Sequence, residues 1–390
     1  MSRAFITTDE GVRVPFLRGI LTRSLQEAGL SFDEAYQIST VIRDEIKNTG
    51  DMTSQDLRNR VLGVLKEFNS SVLESYQDHS LKTPVILVED ENGNTIPFSR
   101  GELRMRLEAC ELDPEESAIL ASHVHDTLLK KGHEIISLSY TKNLIYKMIK
   151  SEKGEQQAKN YLIWEEFFES GQPIIILLGG VAGSGKSTIS SELSHRLQIA
   201  RSQSTDLLRE VLRTIIPESL VPTLHDSSFL AWKKLPKLAE VDRDQEELLI
   251  SGFVAQAELL SLSLEATIRR ALKEQISLIL EGVHILPNFT EKISFESDPI
   301  IVPLMLGVLS PKKLRRRIWN RQQQTPHRRA QRYLDNFDAI WKQQSFLLSE
   351  ADRQNVPIIP NIEKERTIRR ALGTILAALS KRFEGKKLDD

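Results

Sequence analysis

The sequence contains little cysteine: Cys110 is the single one among 390 residues. One cysteine excludes an internal disulfide and is typical of a reducing compartment. Long apolar runs are also missing, since none approaches the ~20 residues that a helix needs to span a bilayer. The N-terminal residues lack the apolar core of a secretory signal, and a formal net charge of -2 gives no general attraction to nucleic acid or acidic lipid. We therefore expect a cytoplasmic protein with no membrane partner and no nucleic-acid partner.

The N-terminal part of the chain contains an internal repeat. Residues Phe5–Gly50 align without a gap on Leu87–Gly132, a shift of 82 residues. A match over a whole unit indicates duplication rather than a chance motif. Because 390 residues exceed one typical domain, we predict a first repeat (1–82), a second repeat (83–153) and a third domain (154–390).

Each repeat is predicted to begin with a short β-hairpin and to continue as helices. The hairpin of the second repeat turns at Glu91–Gly93, and helix start signals follow in both repeats. A PF-x-RG pattern closes each hairpin and places Arg18 and Arg100 directly after it. This mostly α-helical layout resembles the ATP-cone, a small regulatory module, and the resemblance implies a nucleotide effector at the repeats. The alternative is a duplicated helical scaffold that binds no nucleotide.

The most specific motif is the phosphate-binding loop Gly180–Ser187, which reads GVAGSGKS and matches G-x-x-x-x-G-K-[ST]. An apolar strand, Ile174–Leu178, precedes the loop and a helix follows it. Glycines let backbone N–H groups turn onto a phosphate chain, Lys186 reaches the terminal phosphates, and Ser187 binds Mg²⁺. The sequence therefore predicts a site for ATP or GTP. The predicted nucleotide-binding residues are Gly180, Gly183, Ser184, Gly185, Lys186, Ser187 and Thr188.

The third domain alternates strands with helices. Five short segments are predicted to be strands: Ile174–Leu178, Ala200–Ser204, Ser277–Leu280, Ile300–Leu306 and Val356–Ile359. Strands separated by helices form a parallel sheet with right-handed crossovers and helices on both faces. We predict an α/β P-loop NTPase core of the nucleotide-kinase type with a lid, preceded by the duplicated, mostly α-helical region.

Three polar residues follow predicted strands at the sheet edge where the phosphate-binding loop lies. In small-molecule kinases an acid at the place of Asp206 activates the acceptor hydroxyl or holds the metal's water shell, so Asp206 is a catalytic candidate. Glu281 occupies a Walker-B-like position and is predicted to organise Mg²⁺ together with Ser187. The plainer alternatives are a helix cap for Asp206 and a structural acid for Glu281. Asn361 follows the last strand and is expected near the nucleotide base.

Cationic and imidazole side chains flank these acids and can meet an anionic substrate. Arg209 and Arg213 share one face of the helix that follows the second strand. His225 lies in the polar segment 222–232, for which a plain surface loop is the competing interpretation. His284 lies in an apolar run, where a structural histidine is the alternative. The predicted substrate-binding residues are Arg209, Arg213, His225, Lys233, His284 and Arg332.

The segment Lys312–Arg332 is dense in arginine and lysine. It follows the fourth strand, where nucleoside-monophosphate-type kinases carry an arginine-bearing lid that neutralises the transferring phosphoryl group. Arg317 and Arg321 share a helical face within it, and we predict that Arg328 and Arg329 take part in catalysis. A solvated basic helix and a nucleic-acid patch are the alternatives.

The order of these motifs resembles that of the 2-phosphoglycerate kinase family: the phosphate-binding loop, STDLLREVLR at 204–213, PTLHDSSFLAWK at 222–233 and EGVH at 281–284. The resemblance covers nearly the whole chain. It implies transfer of the γ-phosphoryl group of ATP to the 3-hydroxyl of 2-phosphoglycerate, a small phosphorylated acid, to form 2,3-bisphosphoglycerate. Two alternatives are a kinase for another acceptor (another phosphorylated metabolite, a nucleotide sugar or a polynucleotide end) and an ATP-sensing regulatory protein.

Overall fold

A computed structural model describes residues 5–7, 13–49, 52–68, 76, 86–131, 135–236, 244–295, 298–324 and 330–384. The chain divides into two compact units. The smaller unit comprises residues 1–87 and 133–135, and the larger unit comprises residues 88–132 and 136–390. The larger unit thus combines most of the second repeat with the third predicted domain.

The smaller unit contains a three-stranded sheet formed by β1 (Phe5–Thr7), β2 (Arg13–Pro15) and β3 (Met52–Thr53). Strand β1 lies in the middle, antiparallel to β2 and parallel to β3. The hairpin was predicted, whereas β3 was not, because two residues carry no readable alternation of apolar and polar side chains.

The described part of the first repeat contains the helices α1 (Arg18–Glu27), α2 (Phe32–Thr49) and α3 (Ser54–Phe68). Helix α2 starts in a capping box, in which the Ser31 N–H donates to Glu34 Oε2 at 2.9 Å and the Glu34 N–H donates to Ser31 Oγ at 3.4 Å. The apolar faces of the helices form one buried cluster.

The second repeat has the same order of elements. These are β4 (Leu87–Glu89), β5 (Thr95–Pro97), α4 (Arg100–Ala109), α5 (Pro114–Lys130), β6 (Ile135–Ser137) and α6 (Leu138–Lys153). Its sheet order, β5-β4-β6, corresponds to β2-β1-β3. The Asp113 side chain caps α5 by accepting from the Glu115 N–H at 3.1 Å. The duplication in sequence is therefore also a duplication in topology, while nucleotide binding by the repeats stays a prediction.

Helix α7 (Glu155–Ser170) connects the second repeat to the sheet of the larger unit. It follows Gly154, whose φ of 97° ends α6 and lets the chain turn. The indole N–H of Trp164 donates to the carbonyl oxygen of Ala109 at 2.9 Å and is fully buried. This helix therefore packs directly against α4 of the repeat.

The central sheet of the larger unit has five parallel strands in the order β11-β10-β7-β9-β8. All six residues of β7 are buried, as expected for a central strand covered by helices on both faces. The strands are β7 (Ile174–Gly179), β8 (Arg201–Ser204), β9 (Leu278–Gly282), β10 (Ile300–Gly307) and β11 (Ile358–Pro360). The predicted α/β fold class is confirmed, and each strand lies within two residues of its predicted bounds.

Helices connect these strands and cover the sheet. They are α8 (Lys186–Arg196), α9 (Thr205–Ile215), α10 (Gln245–Lys273), α11 (Pro311–Gln324), α12 (Ala330–Asp335), α13 (Phe337–Arg353) and α14 (Lys364–Leu379). Between α9 and α10 the described residues include two short 3₁₀ turns, Pro222–His225 and Ala231–Lys234.

Helix α10 is, among the described residues, the one helix long and apolar enough to cross a membrane by length and composition. It contains no long unbroken apolar run, because polar residues such as Gln256 interrupt its sequence. Core helices of soluble proteins have the same composition. Phe253, Leu260, Leu264 and Ile268 of α10 are fully buried in the larger unit, which accounts for its apolar character.

Candidate active site

The phosphate-binding loop joins β7 to α8. Gly180, Gly183 and Gly185 have φ angles of 145°, 81° and 94°, in the region that favours glycine. A Cβ atom at Gly185 would also collide with the side-chain nitrogen of Asn361. Helix α8 begins at Lys186, and the first N–H groups of a helix have no intrahelical partner, so they are available to phosphate oxygens.

Asn361 holds this loop from the end of β11. Its Nδ2 donates to the carbonyl oxygen of Ser184 at 2.7 Å, and its backbone N–H donates to the carbonyl oxygen of Gly307 at 2.8 Å. Arg317 of α11 donates from Nη2 to the backbone oxygen of Asn361 at 3.1 Å and to Oδ1 at 3.2 Å. Burial, and then the charge of Arg316, lower the pKa of Arg317. Sequence reasoning had not predicted this contact between the lid helix and the loop.

A cavity of about 400 Å³ opens beside the loop. Lys186 Nζ donates to the carbonyl oxygen of Val181 at 2.9 Å along one wall. The lining residues come from the loop and α8 (Gly183, Gly185, Lys186, Ser187, Thr188, Ile189), from α11 (Arg317, Asn320) and from the segment after β11 (Asn361, Ile362, Glu363, Lys364). Most of the predicted nucleotide-binding residues and Asn361 therefore share one cavity.

Ser187 and Glu281 meet at the edge of the sheet. Ser187 Oγ donates to Glu281 Oε1 at 2.9 Å, although 94 residues separate them in sequence. Glu281 is buried near the end of β9, where it pairs with Leu178 of β7 on one side and Ser204 of β8 on the other. The pair joins a hydroxyl and a carboxylate, which are oxygen ligands that Mg²⁺ prefers.

Asp206, Arg209 and Arg213 lie on α9, which starts directly after β8. The Asp206 N–H donates to Ser204 Oγ at 3.2 Å, while its side chain is exposed. Arg209 Nη2 and Arg213 Nη1 each donate to Glu210 Oε1 at 2.9 Å. The Nε atoms of both arginines are buried and have no hydrogen-bond partner among the described residues. Three residues separate Asp206 from Arg209 in register, and four separate Arg209 from Arg213. The Asp206 carboxylate and both guanidinium groups therefore lie on one helical face.

The polar segment after α9 packs on the same face. The guanidinium of Arg209 donates to the carbonyl oxygen of Asp226, and Arg332 of α12 forms an ion pair with the Asp226 carboxylate. His225 Nε2 donates to the carbonyl oxygen of Ile216 at 2.8 Å. Two of the predicted substrate residues, Arg209 and Arg332, thus share Asp226 as a partner. The third, His225, directly precedes Asp226 in the chain.

Lys233 lies at the far end of this segment. Its Nζ is 5.7 Å from the centre of the Trp232 ring, and its side chain is exposed. Contact between Lys233 and a substrate stays a prediction.

His284 lies behind these residues. It is 1% exposed, its Nδ1 lies 2.9 Å from Thr205 Oγ1, and its Nε2 lies 3.0 Å from Gln256 Oε1. Burial lowers the pKa of His284 to about 4, against the opposing effect of the Asp206 carboxylate. Both ring nitrogens therefore contact the protein, and the ring is not on the surface of the site.

Four further arginines were predicted to have functional roles. Arg328 and Arg329 fall outside the described residues. In the first repeat, Arg18 stacks 4.1 Å from the centre of the Tyr36 ring, whereas Arg100 in the second repeat is exposed. The nucleotide effector predicted at these arginines stays a prediction.

An ion-pair network around two buried residues, Arg196 and Glu108, at the far end of α8 was not predicted. Arg196 is 6% exposed. Its Nε lies 3.4 Å from Oε2 of Glu108 in α4, and its Nη2 lies 2.7 Å from Oε2 of Glu365 in α14. Arg104 forms a second ion pair with Glu108 at 2.8 Å. The helix that begins at the phosphate-binding loop therefore ends in contact with the second repeat, and no local motif signals such a long-range pair.

Comparison with known proteins gives relatives that align with most of this chain. No family model matches the chain. The chain is 34% identical over 303 residues to proteins named 2-phosphoglycerate kinase from Pyrococcus furiosus and from Pyrococcus horikoshii, in each case over 78% of this chain and 97% of the relative. Among solved structures, a shikimate kinase from Acinetobacter baumannii in complex with shikimate is 15% identical with a TM-score of 0.30, covering 56% of this chain and 98% of that one.

Proposed function

The chain belongs to the 2-phosphoglycerate kinase family and is a P-loop phosphotransferase; on that premise we propose that it transfers the γ-phosphoryl group of ATP to the hydroxyl of 2-phosphoglycerate. The products are 2,3-bisphosphoglycerate and ADP. The acceptor oxygen forms a bond to the γ-phosphorus while the bond to the β–γ bridging oxygen breaks. The proton of the acceptor hydroxyl leaves to a base.

The observation that carries this proposal is the contact between Ser187 and Glu281 at 2.9 Å. It joins the phosphate-binding loop to the end of β9, and β9 pairs with β8 through Ser204. Helix α9 starts immediately after β8, so Asp206 follows the neighbouring strand end. Donor-side and acceptor-side groups thus lie at the carboxyl ends of adjacent parallel strands, where ligands bind in open α/β sheets.

ATP and Mg²⁺ are the proposed donor and metal. The Ser187 hydroxyl and the Glu281 carboxylate suit Mg²⁺ because it keeps several waters and needs few protein ligands. When bound, Mg²⁺ neutralises charge that develops on the transferred phosphoryl group. The loop N–H groups and Lys186 bind and orient the phosphates, and the cavity beside Arg317 and Asn320 takes the nucleoside.

The acceptor carries a phosphate and a carboxylate, so it needs several fixed cations. Arg209 and Arg213 are held in place by Glu210 and each retains an unpaired, buried Nε–H. Charge-assisted bonds from guanidinium groups suit both anionic groups of the acceptor. Asp206, on the same helical face, orients the hydroxyl or accepts its proton.

An acceptor series tests the substrate. With γ-labelled ATP, 2-phosphoglycerate, 3-phosphoglycerate, glycerate and glycerol are compared by kcat/KM. Each charge-assisted bond to the acceptor is worth about 1.5–3 kcal/mol, so loss of two such bonds predicts roughly 100-fold or greater preference for 2-phosphoglycerate over glycerol. Transfer to glycerol at an equal rate would refute the proposal, and faster transfer to a nucleotide sugar or polynucleotide end would favour the alternative kinase.

Asp206→Asn tests the catalytic role. We expect kcat to fall by about 10²–10⁴, the usual contribution of a positioned acid or base, with the Kd for ATP unchanged. Asp338→Asn is the matched control, because Asp338 is also the second residue of its helix and is exposed. If Asp206→Asn transfers phosphate as fast as Asp338→Asn, Asp206 is not a catalytic residue.

A further inference from the structure

Three polar side chains form a buried row behind the acceptor side of the site. Thr205 and Gln256 have no exposed surface, and His284 is 1% exposed. They come from three elements: Thr205 is the first residue of α9, Gln256 lies in α10, and His284 follows β9. Buried polar groups with complete hydrogen bonding fix a single arrangement of the elements that carry them.

The direction of each hydrogen bond in the row follows from its last member. Gln256 Nε2 donates to the carbonyl oxygens of Thr223 at 2.5 Å and Asp226 at 3.0 Å. Its Oε1 therefore accepts, and His284 Nε2 at 3.0 Å must carry the proton. Neutral imidazole then has a bare Nδ1, which accepts from the Thr205 hydroxyl at 2.9 Å.

We propose that His284 is a positioning residue that sets the place of Asp206 relative to the acceptor-binding segment. On one side it holds Thr205, the residue before Asp206. On the other side it holds, through Gln256, the carbonyl oxygen of Asp226, which also accepts from Arg209. This inference rests on the proposed function, because it assigns the acceptor to the space between these groups.

The Thr205 side chain packs closely against Gly282. A Cβ atom at Gly282 would overlap the Thr205 side chain, so the end of β9 and the start of α9 are in direct contact. A charged ring has two donors and offers no acceptor for the Thr205 hydroxyl. Burial keeps the pKa of His284 low, at about 4, so the ring is neutral at neutral pH and the row stays complete.

Thr205→Val tests the positioning role, with Thr205→Ser as the conservative variant. Valine keeps the shape of the side chain and removes the donor. Because displacement of a reacting group by about 1 Å can cost up to roughly 100-fold, we expect kcat/KM for the acceptor to fall by about 10-fold or more. The KM for ATP stays within about twofold, and Thr205→Ser restores the acceptor kinetics. Wild-type kinetics in Thr205→Val, or equal losses for both substrates, would overturn the inference.

A second measurement reads the row without any acceptor. In ¹⁵N spectra of the wild-type protein at neutral pH, one of the eight histidines, assigned by its loss in His284→Gln, is expected to be neutral with the proton on Nε2. A proton on Nδ1, or a charged ring, would contradict the row and with it the inference. Wild-type protein that fails to phosphorylate 2-phosphoglycerate would instead contradict the proposed function, so the two failures are distinguishable.

Discussion

Replacing Asn361 by alanine should lower both the stability of the larger unit and its affinity for the nucleotide. The change removes the bond from Nδ2 to the buried carbonyl oxygen of Ser184. The Thr367 hydroxyl still donates to the carbonyl oxygen of Glu363 at 2.7 Å after the change, and Arg317 still donates to the backbone oxygen of residue 361 at 3.1 Å. The buried carbonyl oxygen of Ser184 is therefore left with only a long contact, from Arg317 Nη1 at 3.5 Å.

The magnitude follows from that single acceptor. A buried polar group without its partner costs about 1–3 kcal/mol, so we expect Asn361→Ala to lower the free energy of unfolding by about 2 kcal/mol. The same bond holds the loop in its binding conformation. If the loop loses about 1.4 kcal/mol of that support, the Kd for ATP rises roughly tenfold.

Urea unfolding followed by tryptophan fluorescence measures the first quantity. All four tryptophans, Trp164, Trp232, Trp319 and Trp341, lie in the larger unit, so the signal reports on that unit alone. Asn320→Ala is the matched control for stability, because Asn320 lines the same cavity and is exposed. Equal stability of the two variants would refute the claim that Asn361 supports the loop.

Three further predictions concern Gly185, Arg196 and His284. Gly185→Ala should abolish ATP binding, because φ is 94° and the new methyl group would strike Asn361; measurable ATP binding by calorimetry would contradict this. Arg196→Met should lower the free energy of unfolding by about 1–2 kcal/mol, because the buried Glu108 loses one guanidinium partner and keeps the other, Arg104. Adding Glu108→Gln should recover part of that lost free energy of unfolding. If the effects of the two substitutions simply add, the interaction between Arg196 and Glu108 does not contribute to stability. The pKa of His284 is about 4 in the folded protein and 6.5 in the unfolded chain, so on acidification the unfolded chain takes up the proton at the higher pH. The free energy of unfolding should therefore keep its full value above pH 6.5 and fall by about 3 kcal/mol as the pH drops to about 4. His284→Gln should lack that fall; an equal fall in both proteins would exclude His284 as its source.

Features whose signal is local could be predicted from the sequence. Strands β7, β9 and β10 of the central sheet are apolar, largely buried segments, and the phosphate-binding loop has a fixed spacing of glycines. The repeat was visible because its two copies align without a gap. The third strand of each repeat was missed because it is only two or three residues long.

Features that depend on distant partners could not be predicted. His284 in isolation fits either a substrate contact or a structural residue. The contacts of both ring nitrogens depend on Thr205, 79 residues away, and Gln256, 28 residues away. Asn361 lines the cavity beside the phosphate-binding loop, its place near the base stays a prediction, and its bond to Ser184 spans 177 residues. Such pairs are set by the order of strands in the sheet, which local patterns do not contain.

³¹P NMR of the wild-type protein with ATP, Mg²⁺ and 2-phosphoglycerate follows the proposed transfer of the γ-phosphoryl group to the acceptor hydroxyl itself. We expect the γ resonance of ATP to disappear as ADP forms, and a second phosphomonoester resonance to appear on the acceptor in equal amount. Release of the γ-phosphoryl group only as inorganic phosphate, or an unchanged ATP spectrum, would contradict it.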